Sequence, residues 1–261
     1  MFRSPRAVNS LDSQFWVYHL WLPLLLVIPV FYMFEHTSLD MSLANFLYQA
    51  EGGDWVLRKG WFTYDVMHRG GKRLIVAAGL VLLALYAASW KFERLRQWRW
   101  SMAVSCLGMI VLPATVAFLK HHNASPCPWS VNQFGGSLAY LHSLRFSMAP
   151  PTGHCLPASH SSGGFGLLAI YVAFSPFMTR RRYWLLLPGL VTGIAFGVAQ
   201  QLRGAHFISH DVWSLAICWF GALLLLKLAW RFRTAGRRHF APETLTDTDH
   251  TIPAVQLDQV C

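Results

Sequence analysis

The chain has 261 residues, 54% of them apolar and only 13% charged, against roughly one-quarter charged in ordinary soluble domains. Twelve Trp and eighteen Phe suit a chain that packs against lipid and anchors at its interfaces. The formal net charge of +10 does not mark a nucleic-acid surface, because the Lys and Arg residues stand in short clusters between apolar runs, the pattern of a membrane topology signal.

Six apolar runs are long enough to cross a hydrocarbon core of ~30 Å at ~1.5 Å per residue. They cover approximately 16–34, 74–90, 102–119, 163–177, 183–199 and 212–230. The first follows Arg3 and Arg6 and has no small-residue cleavage site after it, so a retained helix is expected, not a removed signal peptide. The fourth is the shortest, starts nearer His160, and is expected to form a tight hairpin with the fifth through Thr179, Arg180, Arg181 and Arg182. The predicted fold is therefore all-α, a polytopic membrane helical bundle of six transmembrane helices forming one domain over 1–238. Residues 239–261 turn polar and read as a disordered cytoplasmic tail. The sequence carries no internal repeat and no nucleotide-binding glycine loop.

The basic clusters alternate with the runs: Arg3 and Arg6, then Lys91, Arg94, Arg96 and Arg99, then Arg180 to Arg182, then Lys227, Arg231, Arg233, Arg237 and Arg238. An even number of helices with both termini inside puts every cluster in the cytoplasm, as the positive-inside rule prefers. Loops 35–73, 120–159 and 200–211 then face the other side, the periplasm if this is a bacterial inner membrane. Within the first loop, 41–49 and 55–62 mix apolar and polar residues, as either an interfacial helix on the outer leaflet or an ordinary ordered loop would. Cys106 and Cys218 lie within runs and Cys261 ends the tail, so all three are expected unpaired. Cys127 and Cys155 share one outward-facing loop, where an oxidising compartment favours a disulfide.

The unusual polar residues gather at the outward ends of the third to sixth runs. Lys120 ends the third, His160 opens the fourth, and Gln200, Gln201, Arg203, His206, His210 and Asp211 connect the fifth to the sixth. Taken alone, Lys120 is a lysine snorkelling at a helix end. Two His and an Arg in one short connector are harder to dismiss, because ionisable groups at such depth are costly and usually functional. Arg and Lys suit phosphate oxygens. One His can attack phosphorus through a neutral nitrogen while another protonates the leaving oxygen. The Ser/Gly-rich stretch from Ser159 to Gly164 offers backbone N–H groups at a helix start.

With these residues in this order, the chain resembles the type 2 phosphatidic acid phosphatase (PAP2) family, membrane enzymes that share an active-site plan with vanadium haloperoxidases and bacterial acid phosphatases. The family's first motif, Lys, six residues, then Arg-Pro, corresponds to Lys120 followed by six residues and Cys127-Pro128. Its second, Pro-Ser-Gly-His, corresponds to Pro157-Ala158-Ser159-His160. Its third, Ser-Arg, five residues, His, three residues, Asp, corresponds to the Gln200–Asp211 region. The resemblance runs from about Lys120 to Asp211. It departs at Cys127, which replaces a phosphate-binding Arg, and at Gln200 and His210, which stand where Arg and Asp are expected. Pro151-Thr152-Gly153-His154 is a second match to the second motif; His160 is preferred because a small-residue run and an apolar span follow it.

The resemblance implies a lipid phosphatase working in two steps without metal or other cofactor. His206 attacks phosphorus, His160 protonates the leaving group, Asp211 orients the His206 ring, and Lys120, Arg203, Ser159 and His210 bind the substrate. His210 as nucleophile is the alternative. Phosphatidic acid, phosphatidylglycerol phosphate, undecaprenyl diphosphate and lipid A are all candidate substrates, with membrane lipids as surroundings and no nucleic-acid partner. Two rival readings stand beside it. One is a metal-dependent hydrolase built on the His206–His210 pair. The other is a non-catalytic lipid-headgroup binder on a degraded scaffold, suggested by the substitutions at Cys127, Gln200 and His210.

Overall fold

The computed structural model describes residues 11–142, 153–178 and 182–239. Arg3 and Arg6, residues 179–181 with the expected hairpin connection, and residues 240–261, with Cys261, lie outside those residues. In chain order the helices are α1 (Ser13–His36), α2 (Leu39–Ala50), α3 (Trp61–Ala88), α4 (Arg99–His121), α5 (Ser159–Phe165), α6 (Leu168–Phe174), α7 (Tyr183–Leu202) and α8 (Ile208–His239), with single turns between them. No strand forms among the described residues.

Five of these helices, α1, α3, α4, α7 and most of α8, are long and apolar enough to cross a membrane. Their outward faces are apolar: Leu25 is 68% exposed and Phe232 78%. A water-soluble fold would bury such residues, whereas in lipid only the backbone must be satisfied internally, as a helix does. The protein is membrane-embedded and all-helical.

The fourth expected run is not one long helix but α5, α6 and a 3₁₀ turn at Ser175–Phe177. Gly166 and Leu167, between α5 and α6, keep right-handed helical dihedrals, so the axis continues through the break. This interrupted rod is the centre of the bundle: Leu168, Ala173 and Phe177 are fully buried. Leu112 and Val116 of α4 and Leu223 and Leu226 of α8 pack around it in one apolar core. Against α7 the rod approaches through glycine. A Cβ on Gly164 would fall 2.5 Å from the Gly193 nitrogen, and one on Gly193 would fall 2.1 Å from the Phe165 ring. Small residues of this kind let membrane helices approach backbone to backbone.

The two ends of the bundle differ. At one, Trp98 and Trp100 meet Phe177 edge to face, Trp100 meets Trp230 the same way, and Phe177 stacks on Trp230, with the Arg233 guanidinium 5.0 Å over the Trp100 ring. At the other, the first loop and the long loop after α4 fold together. There α2 packs Ala44 with Trp55, Val131, Phe134 and Phe207 into a second apolar cluster. The loop after α4 is closed on itself by a disulfide between Cys127 and Cys155, while Cys106 and Cys218 are free.

Filling the Gly193 contact tests this packing. Gly193→Leu forces the Phe165 ring aside and is expected to cost about 1–3 kcal/mol, read as a lower unfolding midpoint in detergent. Val191→Leu, at a lipid-facing position, leaves the midpoint in place. Equal midpoints for both variants would contradict the close α5–α7 approach.

Candidate functional site

Helix α7 ends at Leu202 and α8 begins at Ile208, so Arg203 to Phe207 must reverse the chain. Gly204 makes the reversal with φ +64, and the Trp55 indole lies 2.4 Å from where its Cβ would stand. Only glycine satisfies both demands. The Gly204 carbonyl then accepts from Trp129 N at 2.9 Å, and the His210 carbonyl accepts from Ala158 N at 3.1 Å. The connector is thereby stitched to the loop after α4 and to the start of α5.

The first turn of α8 carries backbone donors that its own helix cannot satisfy. Asp40, from α2, supplies the acceptor: its carboxylate takes Ser209 N at 3.0 Å, the Ser209 hydroxyl, and the Tyr140 hydroxyl at 3.3 Å. Asp40 is 3% exposed. Burial pushes its carboxyl up from the ordinary range, and the two Ser209 donors pull it back. A remote acid thus caps the helix that carries His210, one residue from it.

His206 and His210 face each other across this turn, Nδ1 to Nδ1 at 3.4 Å. Both are buried, and the Cys155 backbone carbonyl hydrogen-bonds both rings. Burial pushes the His206 imidazole well below its ordinary 6.5, and the Lys120 charge and His210 add to the effect. Asp211, expected to orient the His206 ring, makes its contacts elsewhere, and the side chain facing that ring is His210. The Asp211 carboxylate accepts from Gln201 Nε2 at 2.7 Å and lies against Gly197 of α7. Successive helical residues point about 100° apart, so once α8 starts at Ile208 residues 210 and 211 cannot face the same neighbour.

His206 opens onto a cleft of about 630 Å³ lined also by Lys120, Ser159, His160 and Arg203, all expected from sequence. His210 and Asp211 do not line it; His210, expected to bind substrate, stands behind His206. His160 Nε2 donates to the Met67 carbonyl at 3.0 Å. The Ser159 hydroxyl is buried without a partner among the described residues. Gln200 is the link to Arg203: its carbonyl accepts from Arg203 Nη1 at 2.8 Å while its amide meets His68 Nδ1 at 3.1 Å. Arg203 is held further by the Arg58 carbonyl at 2.9 Å and lies 5.0 Å over the Tyr64 ring. Cys127 and Cys155 line the same cleft, so the residue standing where the family has Arg is spent on the disulfide.

Sequence reasoning missed three groups here. His68 and Lys72, two to three turns into α3, also line the cleft, and the His68 ring lies 4.6 Å from that of His160. Their spacing of four with Tyr64 is the signal that could have found them. Asp40 had no local signal, because its partner is 169 residues away. His154, of the second match to the Pro-Ser-Gly-His motif, lines the cleft beside Cys155, while Pro151 and Thr152 lie outside the described residues. No Asp or Glu lines the cleft, and no three His, Cys, Asp or Glu side chains among the described residues converge as a metal would require.

A family model described as the PAP2 superfamily matches residues 100–234, more than half of the chain, and the chain belongs to that superfamily. No curated protein and no solved structure matches it.

The cap on α8 gives a direct test. Asp40→Ala strips the acceptor from two buried Ser209 donors and is expected to cost about 1–3 kcal/mol. Amide exchange over 206–212 should quicken while the α6 core stays protected. Unchanged exchange in the connector would show that Asp40 does not hold it.

Proposed function

We propose that this PAP2-superfamily protein is a membrane-embedded lipid phosphatase that hydrolyses a lipid phosphate or diphosphate through a phosphohistidine on His206. The observation that carries the reading is a buried His206, facing a second imidazole and lining a cleft that holds Lys72, Lys120 and Arg203 and no carboxylate. A phosphate dianion is attracted into such a cleft, and the charge that builds on its equatorial oxygens in the transition state has cations waiting.

In the first step the His206 nitrogen not facing His210 forms a bond to phosphorus as the bond to the leaving oxygen breaks. The proton on His206 Nδ1 is shared with the His210 lone pair, which holds the ring in the attacking tautomer. His160, with its Nε2 proton held by the Met67 carbonyl, enters as the imidazolium and gives its Nδ1 proton to the leaving oxygen. In the second step water attacks phosphorus, His160 takes back a proton, and the P–N bond breaks to release inorganic phosphate and free His206. His210 here occupies the place that the family gives to Asp, and Arg203, held by Gln200, occupies that of the missing Arg. Asp211 takes no part beyond fixing α8 to α7 through Gln201.

The topology that goes with this reading has six spans, the interrupted rod 159–177 being the fourth in chain order, with both termini cytoplasmic. Lys120, the start of α5 and the α7–α8 connector lie at one end, and Lys91, Arg94, Arg231 and Arg233 belong to the opposite helix ends. By the positive-inside rule the cleft faces away from the cytoplasm, the periplasm in a bacterial inner membrane. Phosphatidic acid, phosphatidylglycerol phosphate, undecaprenyl diphosphate and lipid A all fit this class.

Purified protein in detergent, given that lipid panel with EDTA present, should release phosphate. His206→Ala should lower release by at least about a thousandfold, and Lys120→Gln by about a hundredfold. Silence of the wild type on every lipid would favour the degraded-scaffold binder, and loss of release with EDTA would favour a metal-dependent hydrolase.

The pH profile carries a second test. His206 must be neutral to attack, and burial disfavours its cation, so the acid limb of kcat/KM lies below pH 6.5. Lys120→Gln removes one cause of the depression and moves the limb upward. A wild-type limb above 6.5 would contradict a buried nucleophile.

A further inference from the structure

One histidine of the cleft has no role in the two steps of hydrolysis. His154 lies between two residues that rest on a single oxygen. Cys155 N donates to the Ser125 carbonyl at 3.0 Å, and a Cβ on Gly153 would fall 2.2 Å from that same oxygen. The chain is thereby fixed on both sides of His154. Between them His154 adopts φ +50, and it is the one residue other than glycine with a positive φ among the described residues. A residue with a Cβ is disfavoured there and glycine is not, so the ring is kept at a cost in free energy.

What the ring reaches is the cleft. The loop after α4 contributes Cys127, Trp129, Gly153, His154 and Cys155 to the lining. With the two cysteines bonded to each other, His154 is the one titratable side chain among these. Its ring stacks on that of His121 at 5.4 Å, one residue from Lys120. On its other side Cys155, whose Cα lies ~3.8 Å along the chain, hydrogen-bonds the His206 ring through its carbonyl. His154 is thus close to both the expected nucleophile and a cation. Packing on His121, an exposed residue, would account for a ring but not for its nitrogens. His154 Nδ1, like the Ser159 hydroxyl, is buried without a partner among the described residues. Two such polar groups in one cleft point to a ligand whose oxygens accept from them.

We propose that His154 is a further substrate-binding residue of this cleft, donating a hydrogen bond to an oxygen of the phosphate group held beside His206. That the phosphate belongs to a lipid under hydrolysis rests on the proposed phosphatase function; the binding of a phosphate anion by His154 does not. The left-handed backbone is then the means by which the loop turns an imidazole toward the anion from the wall that the disulfide closes.

The test measures uptake of radiolabelled inorganic phosphate by the full chain in detergent micelles, by equilibrium dialysis, which needs no turnover. His154→Gly removes the ring and suits φ +50, while His154→Phe keeps a ring against His121 and has no nitrogen. Both should weaken phosphate binding by about tenfold or more, the effect of one hydrogen bond to a charged group. His154→Arg, which restores a donor, should recover most of that loss. With a lipid phosphate as substrate, the Gly and Phe variants should raise KM more than they lower kcat. Elution of each variant as a monodisperse peak verifies its fold. No uptake by the wild type, equal uptake by His154→Gly, or wild-type uptake by His154→Phe would overturn the assignment. Phosphate binding that depends on His154 while no lipid phosphate is turned over keeps the site and removes hydrolysis. Release with KM unmoved in both variants does the reverse.

Discussion

Between α7 and α8 the chain reverses in five residues, and the rest of the site depends on how that reversal is held. Gly204 takes a left-handed conformation under the Trp55 ring, and Asp40 caps the helix that follows. These contacts come from α2 and from the turn after it, so the first loop is a clamp on the connector. His206 is thereby buried where protonation is disfavoured, which leaves an imidazole lone pair available at neutral pH. A more open connector would surrender that advantage to water.

The long helices were legible because lipid imposes a simple rule: a span must be apolar for its whole length. That rule is silent about the central rod, which is buried in protein and so tolerates the Ser and Gly that interrupt its pattern at 159–166. Hydropathy marked the run, and packing against Gly193 accounts for Gly164. At the site, Lys120, Ser159, His160, Arg203 and His206 were legible from spacing, and all five line one cleft. The exchange of Asp211 for His210 turned on where α8 begins, a boundary that pattern alone leaves uncertain by a residue or two. His68 and Lys72 belong to no family motif and show only their spacing of four with Tyr64, and Asp40 is brought in by three-dimensional closure alone.

The departures from the family pattern are connected. Cys127 stands where an Arg would bind phosphate, and with Cys155 it closes the wall on which both imidazoles rest through the Cys155 carbonyl. Gln200 stands where a second Arg would, and it holds Arg203 from one turn on. Positive charge has been relocated to Arg203 and Lys72 while the wall gained a covalent tie. The donor set around the cleft therefore still suits an anion.

The central claim is that His206 carries the phosphoryl group between the two steps. It is tested most directly by mixing the protein with a lipid phosphate it hydrolyses, quenching rapidly in alkali, and mapping phosphorylation by mass spectrometry. The account predicts a phosphoryl group on His206, stable in alkali, lost in acid and absent from His206→Ala. A phosphoryl group on His210, or none on any histidine while phosphate release proceeds, would contradict it.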